Sequence, residues 1–175
     1  MFSPTHELDD VARFLRSWRG DASDVEPLGS GTWSQVFGFR SAGREYVLRL
    51  GNYLPDYEED RVMSAFAGPD LPVPEIIDVG EALNGVYAIS VRAYGEALDA
   101  LDGATFRQTL PSILRMLDAM RVIDVSDTTG YGMWSPDGSA PFQTWREFLL
   151  DVRNDRPDMR HHGWLEQLES QPAAS

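Results

Sequence analysis

The sequence contains no cysteine and no lysine. The absence of cysteine excludes disulfide bonds and thiolate metal sites, and it is typical of a reducing compartment, so a cytoplasmic location is the default expectation. All 15 basic residues are arginine, they stand against 28 acidic residues, and the formal net charge is −13. Because contacts to nucleic-acid phosphates require clustered basic side chains, no nucleic-acid partner is expected. A cationic small molecule would suit this charge.

Long hydrophobic runs are also missing from the chain. No apolar stretch approaches the ~18–20 residues that span a bilayer. The segment Met1 to Asp10 is acidic, unlike the basic start of a signal peptide. We therefore expect no membrane association. The 175 residues, of which 42% are hydrophobic, are sufficient for a globular protein with a substantial core.

The spacing of apolar residues predicts an α+β organisation in the first 92 residues. A helical period predicts a helix over 6–19 and a second helix near 56–67. Five runs of strand-forming residues predict an antiparallel sheet with the second helix inserted after its third strand. The strands are expected at Val25–Leu28, Gln35–Arg40, Glu45–Leu50, Glu75–Val79 and Val86–Val91.

The rest of the chain has the pattern of helices. An amphipathic helix is expected to begin at Pro111, because proline is favoured in the first turn of a helix. A second helix is expected after Thr144, which stands three residues before Glu147 in the spacing of a capping box. We therefore divide the chain into a first part over 1–92 and a second part over 93–175.

A glycine-rich turn between the first two strands is the main functional signal. Gly29, Ser30 and Gly31 are small enough to let a backbone approach a polyphosphate closely. The hydroxyl of Ser34 can hydrogen-bond the same phosphates, and Arg49 on the third strand can reach their oxygens. Alternatively, Arg49 merely ends a strand and pairs with a surface acid.

Further motifs occur in order along nearly the whole chain. They are GREYVLRL at 43–50, Asp60-Arg61, LPVPEIIDVG at 71–80, AIS at 88–90, Gly95, TGYG at 129–132 and TWREF at 144–148. Together they resemble the aminoglycoside phosphotransferase family, and within it the enzymes that phosphorylate hygromycin. The ordered set is far more specific than the glycine turn alone.

This resemblance implies a protein-kinase-like α+β fold. The five-stranded antiparallel N-terminal lobe over 1–92 would bind the nucleotide, and 93–175 would contain the hinge and the beginning of a helical substrate lobe. The expected cofactors are ATP and Mg²⁺, with the adenine bonded to hinge backbone at Ser90, Val91 and Arg92. By the same resemblance, Arg49 replaces the lysine that pairs with phosphate in kinases. Asp60 would orient it, with Glu59 as the second choice.

One part of the family pattern is missing. The family has a His-Gly/Ala-Asp catalytic loop, a following Asn and a metal-binding Asp, whereas none of His6, His161 and His162 is followed two residues later by Asp. No catalytic residue and no metal ligand is therefore assigned. The family reaction is ATP-dependent phosphoryl transfer to an aminoglycoside hydroxyl, and this chain is expected to be catalytically incomplete.

Three alternatives to this function remain open. The chain could be a non-catalytic lobe that binds a nucleotide or a partner, with a second polypeptide supplying the missing half. It could be a remnant without function. It could also belong to a small-molecule kinase whose acceptor is another hydroxylated metabolite.

Overall fold

The computed structural model of the protein describes residues 6–31, 33–154 and 162–166. Within these residues, seven of the longer elements come before residue 92 and two follow it. The helices and strands are α1 Leu8–Trp18, β1 Ser23–Ser30, β2 Gln35–Ser41, β3 Arg44–Gly51, α2 Leu54–Ser64, β4 Ile76–Ala82, β5 Gly85–Val91, α3 Gly103–Arg121 and α4 Trp145–Leu150. Short 3-10 helices cover Leu98–Ala100 and Asp151–Asn154.

The five strands form one antiparallel sheet in the order β1-β2-β3-β5-β4. Helix α2 connects β3 to β4, as the sequence predicts. The β2–β3 hairpin turns at Ala42 and Gly43, both with positive φ, and the carboxylate of Asp21 accepts hydrogen bonds from Ser41 and from the Ala42 amide. The predicted α+β fold with a five-stranded antiparallel sheet is confirmed.

One face of the sheet, which we call the α1 face, carries the main hydrophobic core. Side chains alternate between the two faces of a strand, so every second residue of β2, β3 and β5 points to this side. These residues pack with Val11 and Leu15 of α1, which are fully buried. The sheet residues of this core include Phe37, Phe39, Tyr46, Leu48, Leu50, Tyr87 and Ile89.

The opposite face of the sheet, which we call the α2 face, carries the strand residues that alternate with those of the main core. The register aligns Val36, Arg49 and Ala88 in one row across three neighbouring strands. Helix α2 packs over β4 and β5 on this side and buries Tyr57 against Ala88. Arg49 therefore lies beside α2 and away from the main core.

Helix α3 corrects one prediction. It begins at Gly103, where the carboxylate of Asp102 accepts the amide protons of Ala104 and Thr105 at 2.7 and 2.8 Å. Pro111 therefore lies inside the helix, and the expectation that it begins the helix is wrong. An N-cap carboxylate satisfies the free amides of the first turn, and this cap starts the helix about two turns before the proline.

The contacts between residues divide the chain into two compact units, Met1–Val125 and Ser126–Ser175. In the second unit, α4 starts as its capping box predicts, with the Thr144 hydroxyl accepting from the Glu147 amide at 3.1 Å. The boundary between residues 92 and 93, which separates the nucleotide lobe from the hinge and substrate lobe, remains a prediction. Among the described residues, none of the helices is both long and apolar enough to cross a membrane.

Candidate nucleotide site

The glycine turn is a tight hairpin connection between β1 and β2. Strand β1 continues through Gly29 and Ser30, and the turn closes where the Gly31 amide donates to the Ser34 carbonyl at 2.9 Å. Gly29 has a φ of 152°, a backbone conformation that L residues rarely adopt. It lies beside an irregularity in the pairing of β1 with β2. A Cβ on Gly29 or Gly31 would meet none of the described atoms within 4 Å. The backbone of this turn is therefore open to a ligand.

Arg49 lies on the same face of the sheet as Gly29. Gly29 pairs with Val36 and Val36 pairs with Arg49, so the two positions are two strands, or about 10 Å, apart. The guanidinium of Arg49 donates to the carboxylate of Asp60, which confirms the predicted ion pair. Both side chains keep about a third of their surface exposed, at 32% and 41%. The charge of Arg49 therefore remains accessible.

Tyr57 contacts Arg49 from the side of α2. The guanidinium carbon of Arg49 lies 5.0 Å from the centre of the phenol ring. Burial raises the pKa of Tyr57, so the group stays neutral at physiological pH. The guanidinium of Arg49 thus contacts both a carboxylate and a neutral aromatic ring.

A second row of residues crosses the α2 face two residues further along the strands, a distance of about 7 Å. It consists of Glu26, Gly38, Val47 and Ser90. Arg92 extends over this row, because a Cβ on Gly38 would lie only 2.9 Å from its Nη1 atom. Its guanidinium forms a 2.7 Å ion pair with Glu26, whose hydrogen bond raises the pKa of Arg92. The predicted phosphate end and hinge end of the site thus share one face.

Not every predicted site residue presents its side chain to that face. Ser30 pairs with Gln35, and Gln35 pairs with Leu50 of the α1 face, so only the backbone of Ser30 can serve the phosphate end. Val91 packs against the core of the α1 face. The binding roles of these residues remain predictions.

The hinge amides are already engaged within the protein. The Val91 amide donates to the Glu75 carbonyl, and the Arg92 amide donates to the Glu45 carbonyl, both at 3.0 Å. A hydrogen-bond donor to an adenine ring nitrogen would therefore have to come from another residue. In the part of the chain that the structure describes, no three His, Asp or Glu side chains form a group that could hold a metal ion.

Two residues of this region were missed by the sequence reasoning. Tyr57 precedes Asp60 by three residues in one predicted helix, which places both on one side of it, and this spacing could have identified it. Glu26 offers no comparable signal. The pairing of β1 with β2 shifts register on either side of Glu26 and Pro27, so its row cannot be read from alternation.

Comparison with known proteins gives relatives that share this architecture. No protein-family model matches the chain. The chain is 32% identical to the hygromycin-B 4-O-kinase of Escherichia coli over 177 residues, which is 100% of this chain and 51% of that protein. It thus spans about half the length of the curated relative it matches.

Solved structures agree with this finding. The chain is similar to crystal structures of thermostable mutants of the aminoglycoside phosphotransferase APH(4)-Ia, in one ternary complex with AMP-PNP and hygromycin B and in another with ADP and hygromycin B. Each has a TM-score of 0.77 and 32% identity, and each match covers 90% of this chain and 52% of the other. The predicted kinase-like fold is confirmed, and over about half their length the chain shares both sequence and fold with the aminoglycoside phosphotransferases.

Proposed function

We propose that this chain contains the nucleotide-binding lobe and the beginning of the substrate lobe of an ATP-dependent phosphotransferase that acts on a hydroxyl of a hygromycin-type aminoglycoside. The observation that carries the proposal is Arg49, held by Asp60 on the same sheet face as a glycine turn with open space beside it. The relatives with bound AMP-PNP or ADP support a nucleotide as the ligand. An ATP-using protein without cysteine is expected in the cytoplasm.

Each part of the site has a role in this proposal. The backbone at Gly29, Ser30 and Gly31 would approach the phosphates, and the guanidinium of Arg49 can contact two phosphate oxygens at once. The adenine would lie near Ser90, Val91 and Arg92, on the hinge side of the same face. The excess of acidic residues would favour the approach of a cationic aminoglycoside.

Catalysis requires more than this chain offers. Mg²⁺ would neutralise charge on the transferred phosphoryl group. However, the described residues contain no cluster that could hold it, and we assign it no ligand. The sequence also lacks the His-x-Asp loop and the Asn that follows it in the family. We therefore expect the isolated chain to bind ATP weakly and to transfer no phosphate at a useful rate.

The test uses the purified chain. ATP binding is measured by calorimetry, and transfer of labelled phosphate from ATP to hygromycin B is measured beside the full-length hygromycin-B 4-O-kinase. Weak binding without transfer is the expected result. Absence of binding at millimolar ATP would contradict the nucleotide role, and robust transfer would contradict the expected incompleteness.

A second candidate role is a lobe that another polypeptide completes. Helix α3 favours it, because its large apolar residues recur at helical spacing and remain exposed, at Phe106, Leu110, Leu114, Leu117 and Met120. The occupant of this face would be a helical polypeptide that carries a His-x-Asp loop. Restored transfer when the chain is co-purified with such a polypeptide would support this role, whereas a stable complex without transfer would count against it.

A further inference from the structure

Ser90 of β5 places a buried hydroxyl on the α2 face. Its side chain is 9% exposed, and among the residues that the structure describes the hydroxyl has no hydrogen-bond partner. Ser90 pairs with Val47 and Val47 pairs with Gly38, so its side chain points to the same side of the sheet as that of Arg49. Buried hydroxyls are nearly always hydrogen-bonded, because an unpaired one gives up its contacts with water and gains nothing in return. The proton of this hydroxyl is therefore available to a ligand.

Another buried serine of the sheet does have a partner. Ser41 of β2 is 2% exposed, and its hydroxyl donates to the carboxylate of Asp21 at 2.7 Å. It alternates along β2 with the residues of the α2 face and so lies on the α1 face. The fold thus satisfies a buried hydroxyl on the side of the main core, whereas Ser90 lies on the side that carries the glycine turn.

The surroundings of Ser90 suit a flat apolar ring. Val47, its neighbour across the sheet, is apolar and half-buried, and Gly38 on the next strand has no side chain. Arg92 bounds this area, because its Nη1 atom lies 2.9 Å from the position of a Cβ on Gly38 and its guanidinium pairs with Glu26 at 2.7 Å. An apolar surface with a few polar groups at its edge is typical of a small-molecule site.

Ser90 lies on the hinge side of the groups that would bind phosphate. Arg49 pairs with Ala88, two residues before Ser90 on the neighbouring strand, which places the Cα atoms of Arg49 and Ser90 about 8 Å apart. With the triphosphate at Arg49 and the glycine turn, the base extends towards Ser90. The edge of adenine farthest from the ribose carries the ring nitrogen N1, which accepts a hydrogen bond. The amides of Val91 and Arg92 already donate to carbonyl groups of the protein.

These observations leave one buried donor facing the base. We propose that the hydroxyl of Ser90 donates a hydrogen bond to N1 of adenine. A serine hydroxyl has one proton to donate, and no described residue accepts it. This inference rests on the proposed function, in which the ligand is a nucleotide, and it identifies the group that recognises the base. The donor is a side chain, in place of the hinge backbone that the family resemblance implies.

The test pairs one substitution in the protein with one change in the ligand. Ser90→Ala removes the hydroxyl with little change in volume, and 1-deaza-ATP has a carbon in place of N1. The matched ligand is 7-deaza-ATP, which is altered elsewhere in the ring and keeps N1. The matched variant is Ser41→Ala, which also removes a buried serine hydroxyl from the sheet, but from the α1 face.

Dissociation constants are measured by calorimetry. We expect Ser90→Ala to weaken binding of ATP and of 7-deaza-ATP about three- to tenfold, the range for loss of one hydrogen bond, and to leave binding of 1-deaza-ATP unchanged. The unmodified chain should bind 1-deaza-ATP more weakly than ATP by the same factor, because both changes remove the same interaction. Ser41→Ala should bind all three nucleotides as the unmodified chain does. Equal weakening of all three nucleotides by Ser90→Ala would overturn the inference.

Urea unfolding provides a measurement that needs no nucleotide. The midpoint should fall in Ser41→Ala, because Asp21 loses a hydrogen bond, and should stay the same or rise in Ser90→Ala, because an unpaired buried hydroxyl contributes nothing to the fold. An equal fall in both variants would show that the hydroxyl of Ser90 is structural, against the inference.

The same titrations distinguish this inference from the proposed function. If the unmodified chain binds none of the three nucleotides, the proposed function fails and the role of Ser90 fails with it. If the unmodified chain binds ATP and Ser90→Ala binds it equally tightly, the proposed function stands and this inference alone is wrong.

Discussion

Replacement of Arg49 by alanine should damage nucleotide binding more than it damages the fold. In the free protein, the side chain makes an ion pair with Asp60 and a cation–π contact with Tyr57. Because both charged groups are about one third exposed, the ion pair contributes about 0.2–1 kcal/mol. The cation–π contact adds about 0.5–1 kcal/mol. The free energy of unfolding should therefore fall by about 1–2 kcal/mol at most.

The expected loss of affinity is larger. A hydrogen bond to a charged group contributes about 1.5–3 kcal/mol. At about 1.4 kcal/mol for each factor of ten, Arg49→Ala should raise the dissociation constant for ATP about 10- to 150-fold. Arg49→Lys should lie between alanine and the unmodified chain, since an ammonium keeps the charge and loses the bidentate geometry.

Calorimetry with ATP and urea unfolding of the same samples measure the two effects. Arg44→Ala is the control: it removes the same charge from the same strand, but Arg44 is exposed and lies 3.9 Å from Glu75. Its affinity for ATP should be unchanged. The reasoning is refuted if Arg49→Ala binds ATP as tightly as the unmodified chain, or if Arg44→Ala weakens binding to the same extent.

Three further predictions concern stability, and each is checked by urea unfolding. Gly51→Ala should lower the free energy of unfolding by about 1–3 kcal/mol, because the added Cβ would collide with the phenol oxygen of Tyr57. An equally large loss of stability when Gly51→Ala is made in the Tyr57→Phe variant would contradict this explanation. A hydrogen bond from Ser41 lowers the pKa of Asp21. The ionised carboxylate therefore stabilises the folded protein fully above its unfolded pKa near 4, and this stabilisation is lost as the pH falls through the lower folded pKa. Asp21→Asn should therefore lose less stability than the unmodified chain as the pH is lowered, and equal slopes would count against this role. Burial, and to a smaller extent the hydrogen bond to Asp78, raises the pKa of Tyr87 to about 12. The neutral phenol therefore stabilises the folded protein fully below about pH 10, and this stabilisation is lost as the pH rises towards 12. Tyr87→Phe should abolish this pH dependence.

The parts of the fold that local patterns determine could be predicted from the sequence. Alternation and turn residues gave five strands, and the structure has them in an antiparallel sheet with α2 after β3. The error at Pro111 arose where two helix-start signals compete. A proline in a first turn and an aspartate N-cap are both favourable, and only the hydrogen bonds of Asp102 show which one begins the helix.

In the candidate site, too, some contacts could be predicted from the sequence and others could not. The pairing of Arg49 with Asp60 could be predicted, because the resemblance supplies both positions. The contact of Tyr57 with Arg49 depends on how α2 packs against the sheet. The ion pair of Arg92 with Glu26 depends on which strands are neighbours and in which register. A single sequence does not contain that information where strand pairing shifts, as it does in β1.

The guanidinium of Arg49 also determines which reagents can detect this site. ATP analogues that carry an acyl phosphate label a kinase by acylating the amine of its strand lysine. This chain has no lysine, and a guanidinium stays protonated, so a probe that binds at the proposed site would depart without leaving a label on any side-chain amine. A survey of nucleotide-binding proteins based on amine chemistry would therefore overlook this protein. A dicarbonyl reagent, which condenses with guanidinium groups, would modify the partly exposed Arg49, and protection by ATP would identify it.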